Sequence, residues 1–106
     1  MKITRATSRV LSIPTASPLI VGVDQPDMRR EFVVLELNTD DGLTGIGVTF
    51  FGGAIWRALK AAVDALSELI IGEDPTRTEA IAATLRRAAG SSGPGGIFTL
   101  AHSAID

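Results

Sequence analysis

The sequence predicts an α+β domain in which a three-stranded antiparallel meander is followed by a helical hairpin and the start of a third helix. Three observations predict this fold class. The first half, to about Phe50, contains runs of alternating apolar and polar residues that are rich in β-branched side chains, and an Asp-Gly pair separates two of these runs. The second half repeats apolar residues at helical spacing. A chain of 106 residues has the usual size of one domain.

The first two strands are predicted from "KITRATSRVLSI" and "EFVVLELNT". Alternation in the first run breaks near Ser8, and a bulge there would return Val10 to the face used by Ile3. The second run alternates without a break, so its side chains divide between two faces of the sheet. One face carries Val33, Leu35 and Leu37, and the other carries Phe32, Val34 and Glu36.

Asp41–Gly42 gives the clearest turn signal in the chain, because glycine adopts positive φ without steric cost. The segment "LTGIGVTF" then returns as the third strand, with Ile46, Val48 and Phe50 alternating. Gly45 and Gly47 leave its other face bare. We therefore expect another element to pack closely against that face.

The helices are predicted from apolar spacing and from capping residues. The first helix carries an apolar stripe and ends at Gly72. Asp74 is the expected N-cap of the second helix, with Pro75 at the first helical position. The second helix carries Ile81 and Leu85 on one side and ends near Gly90. The stripe of the first helix is Ile55, Leu59, Val63, Leu66 and Ile70, and that of the third is Ile97, Leu100, Ala101, Ala104 and Ile105.

Composition excludes several classes of function. The net charge of −2 gives no basic field for nucleic acid, no segment has the apolar length of a membrane span, and we expect a cytoplasmic protein. The chain has no cysteine and one histidine, so it cannot supply a thiol–imidazole pair or a two-histidine metal site. His102 lies beside the apolar stripe of the last helix, where a structural or surface role is favoured over a general base.

Four segments occur in a characteristic order: "MKIT", "VVLELNTDDGLTGIG", "LIIGEDP" and "AHSAID". In that order they resemble the N-terminal capping domain of the enolase superfamily, in the branch of mandelate racemase and muconate lactonizing enzyme. The resemblance covers residues 1–106. It implies a cap that closes over a C-terminal TIM-type barrel, which is missing from this chain, and it implies that the chain is truncated within its last helix. The catalytic bases and the carboxylates that hold Mg²⁺ belong to the barrel in this family, so no catalytic or metal-binding residue is assigned here.

The resemblance also implies which residues contact substrate. They belong to a lid loop between the first two strands and to the stretch after the third strand. These residues are Ile20, Val21, Gly22, Val23, Asp24, Phe50, Phe51 and Gly52. Ordinary core packing remains the alternative for Phe50 and Phe51.

The implied parent is a Mg²⁺-dependent dehydratase of an acid sugar, which abstracts an α-proton to form an ene-diolate. A racemase or epimerase of a similar hydroxy acid is the alternative. The expected partners are the chain's own barrel, a hydroxy-carboxylate substrate and further copies in a homo-oligomer. Taken alone, the chain is expected to be a non-catalytic interaction module.

Overall fold

A computed structural model describes residues 1–14, 29–50, 53–93 and 95–106. Three strands come first, and a short 3₁₀ turn (Gly53–Ile55) leads from them into the helices; a second one (Gly90–Ser92) precedes the last helix. The strands are β1 (Ile3–Pro14), β2 (Arg29–Thr39) and β3 (Thr44–Thr49), and the helices are α1 (Trp56–Glu68), α2 (Thr78–Ala89) and α3 (Gly96–Ile105). This order confirms the predicted α+β class. No helix in the described ranges is long and apolar enough to cross a membrane.

The sheet is an antiparallel meander with strand order β1-β2-β3. The β1–β2 register shifts between Ile3 and Arg5, which reverses the alternation and places Val10 on the same face as Ile3. A bulge near Ser8 was therefore wrong in position, because Ser8 pairs regularly with Leu35. The expected consequence, that Val10 returns to the face of Ile3, is confirmed.

The helices cover one face of the sheet, and the core forms between them. Val33 and Leu35, which share one face of β2 as predicted, are fully buried and pack in one cluster with side chains of α1 and α3. A second cluster joins the start of β1 to α2, α3 and the segment after α1. The first cluster contains Val33, Leu35, Leu59, Val63, Ala101 and Ala104, and the second contains Ile3, Ile70, Ile81, Leu85 and Phe98.

The glycine face of β3 receives α3, as the bare strand predicted. A Cβ atom built on Gly47 would lie 1.7 Å from the carbonyl oxygen of Ala104, so the helix backbone occupies the space of a side chain. Gly45 differs, since nothing lies within 4 Å of its Cβ position. The apolar side chains Ile46 and Val48 point to the other face and are 67% and 48% exposed.

Two predicted helix boundaries were wrong. Ile55 is 58% exposed in the 3₁₀ turn before α1, so it is not part of the buried stripe. The helix ends at Glu68, ahead of the expected Gly72, and Ile70 is buried in the turn after it. Gly72 has a φ of 89°, and its N–H donates to the carbonyl of Ile3 at 2.7 Å, which ties this turn to β1.

Asp74 does not cap α2. Its Oδ1 accepts hydrogen bonds from the backbone N–H of Thr76 at 2.9 Å and from the Thr76 hydroxyl at 2.7 Å, which closes a local Asx turn. The chain then makes a further turn, in which the N–H of Arg77 donates to the Asp74 carbonyl, and α2 begins at Thr78. Ile81 and Leu85, predicted to share one side of the helix, are both buried, and α2 ends at Ala89 beside Gly90, as expected.

The apolar stripe of α3 lies against the sheet and the other helices. Ala101 and Ala104 are buried, while the larger members of the predicted stripe are half-buried against the first cluster. Those larger members are Ile97, Leu100 and Ile105. Phe98, which the predicted stripe did not include, is buried in the second cluster at 5% exposure.

Candidate functional site

The described residues that flank the predicted substrate-contacting segments lie towards one end of the sheet. Pro14 at the end of β1 pairs with Arg29 at the start of β2, and β3 runs towards this same end, with Thr49 opposite Val33. Pro14 and Arg29, which border residues 15–28, and Phe50, which precedes residues 51 and 52, therefore lie towards the same end. The predicted residues Ile20, Val21, Gly22, Val23, Asp24, Phe51 and Gly52 lie outside the described residues.

Phe50 is the predicted site residue that the structure describes. It follows Thr49 and continues the alternation of Ile46 and Val48, so its ring lies on the face of the sheet opposite the helices. The ring is 36% exposed and contacts Phe32, with centroids 5.4 Å apart and planes at 37°. Phe50 is therefore not packed in the core beneath the helices.

Phe32 is a neighbour of the site that the sequence pattern did not single out. The register explains the contact, because a hairpin centred on Asp41 brings residues equally distant from that position opposite each other, as in the pair Val33 and Thr49. Extending this register by one residue places Phe32 opposite Phe50. The Asp41–Gly42 signal locates the turn, and the pair follows once the loop is known to have three residues, as the hydrogen bond from the Thr39 N–H to the Leu43 carbonyl shows.

Two arginines line a groove farther along the same open face. It has a volume of about 270 Å³ and is lined by Arg5, Thr7, Arg9, Val34 and Glu36. Neither arginine forms an ion pair with another described residue. Glu36 instead accepts a hydrogen bond of 3.3 Å from the amide of Asn38. This groove holds charge but no thiol or imidazole, and its nearest lining residues, Arg9 and Val34, lie in the row next to that of Phe32 and Phe50.

His102 lies on the helical side of the molecule, away from this end of the sheet. Its ring is half-buried and stacks on Phe98, with centroids 5.6 Å apart and planes at 23°. It borders a small cavity of about 50 Å³ whose walls are mostly apolar and include Ile3 and Ile81. These surroundings are those of a packing residue and agree with the structural role that the sequence favoured.

The described ranges contain no group of three histidine, cysteine, aspartate or glutamate side chains that could hold a metal ion. The donor set that Mg²⁺ prefers is therefore not assembled in that part of the chain. Two aspartates have lowered pKa values for reasons of turn geometry. The Thr39 hydroxyl, 2.5 Å away, lowers the pKa of Asp41, and the backbone N–H of Thr76, followed by its hydroxyl, lowers that of Asp74.

Residues 5–106 match the family model of the mandelate racemase / muconate lactonizing enzyme N-terminal domain. Among curated proteins, the chain is 37% identical over its whole length to D-galactarolactone cycloisomerase of Agrobacterium fabrum, of which it spans 27%. It is also 37% identical over 71% of its length to D-galactonate dehydratase of Ralstonia pickettii, of which it spans 19%.

Among solved structures, L-talarate dehydratase from Polaromonas sp. JS666, in complex with Mg and L-glucarate, superimposes with a TM-score of 0.83. The sequences are 25% identical, and the match covers 97% of this chain and 29% of that one. The chain thus spans less than a third of each of these relatives. It belongs to the mandelate racemase / muconate lactonizing enzyme family, as its N-terminal domain.

Proposed function

We propose that this chain is the capping domain of a Mg²⁺-dependent dehydratase that acts on an acid sugar. In this proposal the reaction starts with abstraction of the proton α to a carboxylate and passes through an ene-diolate. The reacting groups and the Mg²⁺ ligands belong to a barrel domain carried by the rest of the enzyme. The observation that carries the proposal is the family match over residues 5–106, together with relatives named for galactonate and galactarolactone.

The cap's contribution is to complete the substrate pocket and to keep water out of it. Water exclusion strengthens the electrostatic stabilisation of an anionic intermediate, because the effective dielectric constant falls. We assign this role to Phe50 and to Ile20, Val21, Gly22, Val23, Asp24, Phe51 and Gly52. The exposed ring of Phe50 at the end of the sheet supports the assignment, since a capping surface must present side chains that the domain's own core does not use.

An isomerase is the second candidate, as a racemase or epimerase of a hydroxy acid. The relative that matches over the full length of the chain is named a cycloisomerase, which supports this class. Both classes share α-proton abstraction, and the bases on the barrel decide the fate of the intermediate. We also propose that the parent assembles as a homo-oligomer.

A screen of the full-length enzyme against acid sugars, including galactonate, galactarate, talarate and glucarate, tests the proposal. We expect loss of water from at least one of them to a keto product, abolished by EDTA and restored by Mg²⁺. Exchange of the α-proton with D₂O, without loss of water, would favour the isomerase instead. Turnover of no hydroxy-carboxylate in the presence of Mg²⁺ would contradict both candidates.

The 106-residue chain, expressed alone, supplies the matched control. We expect it to show neither dehydration nor α-proton exchange, and to bind Mg²⁺ no more tightly than other acidic proteins of its size. Acid-sugar dehydration by the isolated chain would show that the reacting groups lie within residues 1–106, which would overturn the division of labour proposed here.

A further inference from the structure

The first turn of α1 carries a tryptophan and an arginine that contact each other. Trp56 is half-buried, and the guanidinium carbon of the exposed Arg57 lies over its ring, 4.4 Å from the ring centroid. That separation is within the range of a cation–π contact. A guanidinium that lies over an aromatic ring keeps the N–H groups at its edge free, and these donors match the two oxygens of a carboxylate.

This pair lies towards the end of the sheet at which β1 ends and β2 begins, which we call the capping end. Asp64 of α1 accepts a hydrogen bond from the Ser8 hydroxyl, in the middle of β1. The turn after α1 is bonded to the start of β1, where the N–H of Gly72 donates to the carbonyl of Ile3. The helix therefore runs away from the capping end, and Arg57 lies about 10 Å closer to that end than Asp64 does. Helical side chains also lean towards the start of their helix, which carries the guanidinium further in the same direction.

Arg57 occupies a position that is unfavourable for a cation within the domain itself. The first turn of α1 holds no acidic residue, and Arg57 forms no ion pair with any other residue that the structure describes. The positive end of the helix dipole opposes a positive charge in this turn. Departures from such local rules are expected at functional sites, and an anion from outside the domain would stabilise the charge.

We propose that Arg57 is a specificity-determining residue that binds the far carboxylate of a dicarboxylic acid sugar, with its guanidinium held in place by the Trp56 ring. This inference rests on the proposed function, in which the reacting end of the substrate lies against the barrel. The other end of the substrate then faces the cap. A dicarboxylic acid sugar carries a second carboxylate there, whereas a monocarboxylic one carries a neutral hydroxyl. A cation on the cap therefore favours the diacid.

The test uses the full-length enzyme, its best diacid among galactarate, talarate and glucarate, and the monoacid galactonate. KM and kcat are measured for each acid, or the inhibition constant for an acid that is not turned over. We expect R57Q to raise KM for the diacid by about tenfold to hundredfold, with a smaller change in kcat, because a charge-assisted hydrogen bond is lost. The constant for galactonate should change by less than about twofold, since its terminal hydroxyl is neutral.

Two further variants separate the charge from its placement. R57K keeps the charge but loses the planar fork, so its KM for the diacid should lie between those of R57Q and the wild type. W56L keeps the arginine but removes the ring beneath it, and should raise the diacid KM by about twofold to fivefold.

R5Q is the matched control, because Arg5 is also exposed and forms no ion pair with another described residue. It pairs with Asn38 near the end of the sheet opposite the capping end, on the face away from α1. R5Q should leave both constants within about twofold of the wild type. R57Q should melt within about 2 °C of the wild type, because the lost ring contact and the relieved dipole repulsion oppose each other.

Four results would overturn the role of Arg57 and leave the proposed function standing. They are equal effects of R57Q on the diacid and on galactonate, an R57Q enzyme that behaves like R5Q, a melting temperature that falls steeply along with binding, and a wild type that turns over galactonate but no diacid. A wild type that turns over no acid sugar would instead overturn the proposed function, and the role of Arg57 with it.

Discussion

Alanine at position 47 would place a methyl group where the backbone of α3 already lies. The Cβ would be 1.7 Å from the carbonyl oxygen of Ala104 and 2.7 Å from its carbonyl carbon. Carbon and oxygen atoms in close non-bonded contact are about 3.3 Å apart, so α3 would have to move by roughly 1.6 Å. Such a movement would open the core on both sides of Ala104, where Ala101 and Leu35 are also fully buried.

We expect G47A to lower the free energy of unfolding by about 3 kcal/mol or more, at the upper end of overpacking effects. For a domain of this size, that loss corresponds to a fall in the melting temperature of about 10–20 °C. Urea and thermal unfolding of the 106-residue chain, followed by circular dichroism, would measure both quantities. The backbone conformation at Gly47 is not the cause, since its φ is not positive.

G45A is the matched control, because it makes the same chemical change on the same face of the same strand. Nothing lies within 4 Å of its Cβ position and its φ is not positive, so we expect stability within about 0.5 kcal/mol of the wild type. The double variant G47A/A104G sharpens the test if G47A folds poorly. It should not recover stability, because the nearest atoms at position 104 are backbone atoms. Equal stability of G47A and wild type, or equal losses in G47A and G45A, would refute the reasoning.

Three further changes have defined expectations in unfolding measurements. L59A removes a side chain of α1 that is 1% exposed and packs against the sheet, and it should lower the free energy of unfolding by about 2–5 kcal/mol. A loss below about 1 kcal/mol would contradict the core described here. G42A places a side chain at a φ of 88° in the hairpin and should cost about 1–2 kcal/mol, whereas unchanged stability would argue against that turn. D74N should be less stable than wild type at pH 7, because the folded state lowers the pKa of Asp74 and so favours its charged form. That difference should shrink as the pH falls below about 4 and the wild-type carboxylate takes up its proton; a difference that persists at about pH 2 would refute the assignment.

The hairpin could be predicted because its signal is local. Glycine is the residue that adopts positive φ without steric cost, and Gly42 has a φ of 88° in the structure. The β2–β3 register, and with it the contact of Phe32 with Phe50, also depends on the loop having three residues, which the hydrogen bond from the Thr39 N–H to the Leu43 carbonyl shows. The division of the β2 side chains between two faces could be predicted as well, because side chains alternate in a strand without a bulge; which face meets the helices came from the structure.

Helix boundaries were harder to predict, because competing local bonds decided them. Asp74 followed by Pro75 has the pattern of an N-cap, but the side chain bonds to Thr76 instead and the helix starts later. Ile55 fits the spacing of α1, yet it precedes the helix and is exposed. Apolar residues that precede or follow a helix can fit its spacing by chance, so spacing alone does not locate the ends of a helix.

The site could be predicted only in outline, and the segments that carried the family resemblance explain why. Ile3 of "MKIT" donates its N–H to the carbonyl of Glu73 at 2.9 Å and accepts from Gly72, which joins that segment to "LIIGEDP". Gly47 of the "GIG" stretch is close to the backbone of Ala104 in "AHSAID". These segments therefore identify the fold because they contact one another within it, in pairs that allow few substitutions. The residues that we propose to contact substrate belong to none of these four segments, so the pattern that specifies the fold carries no information about the chemistry of the pocket.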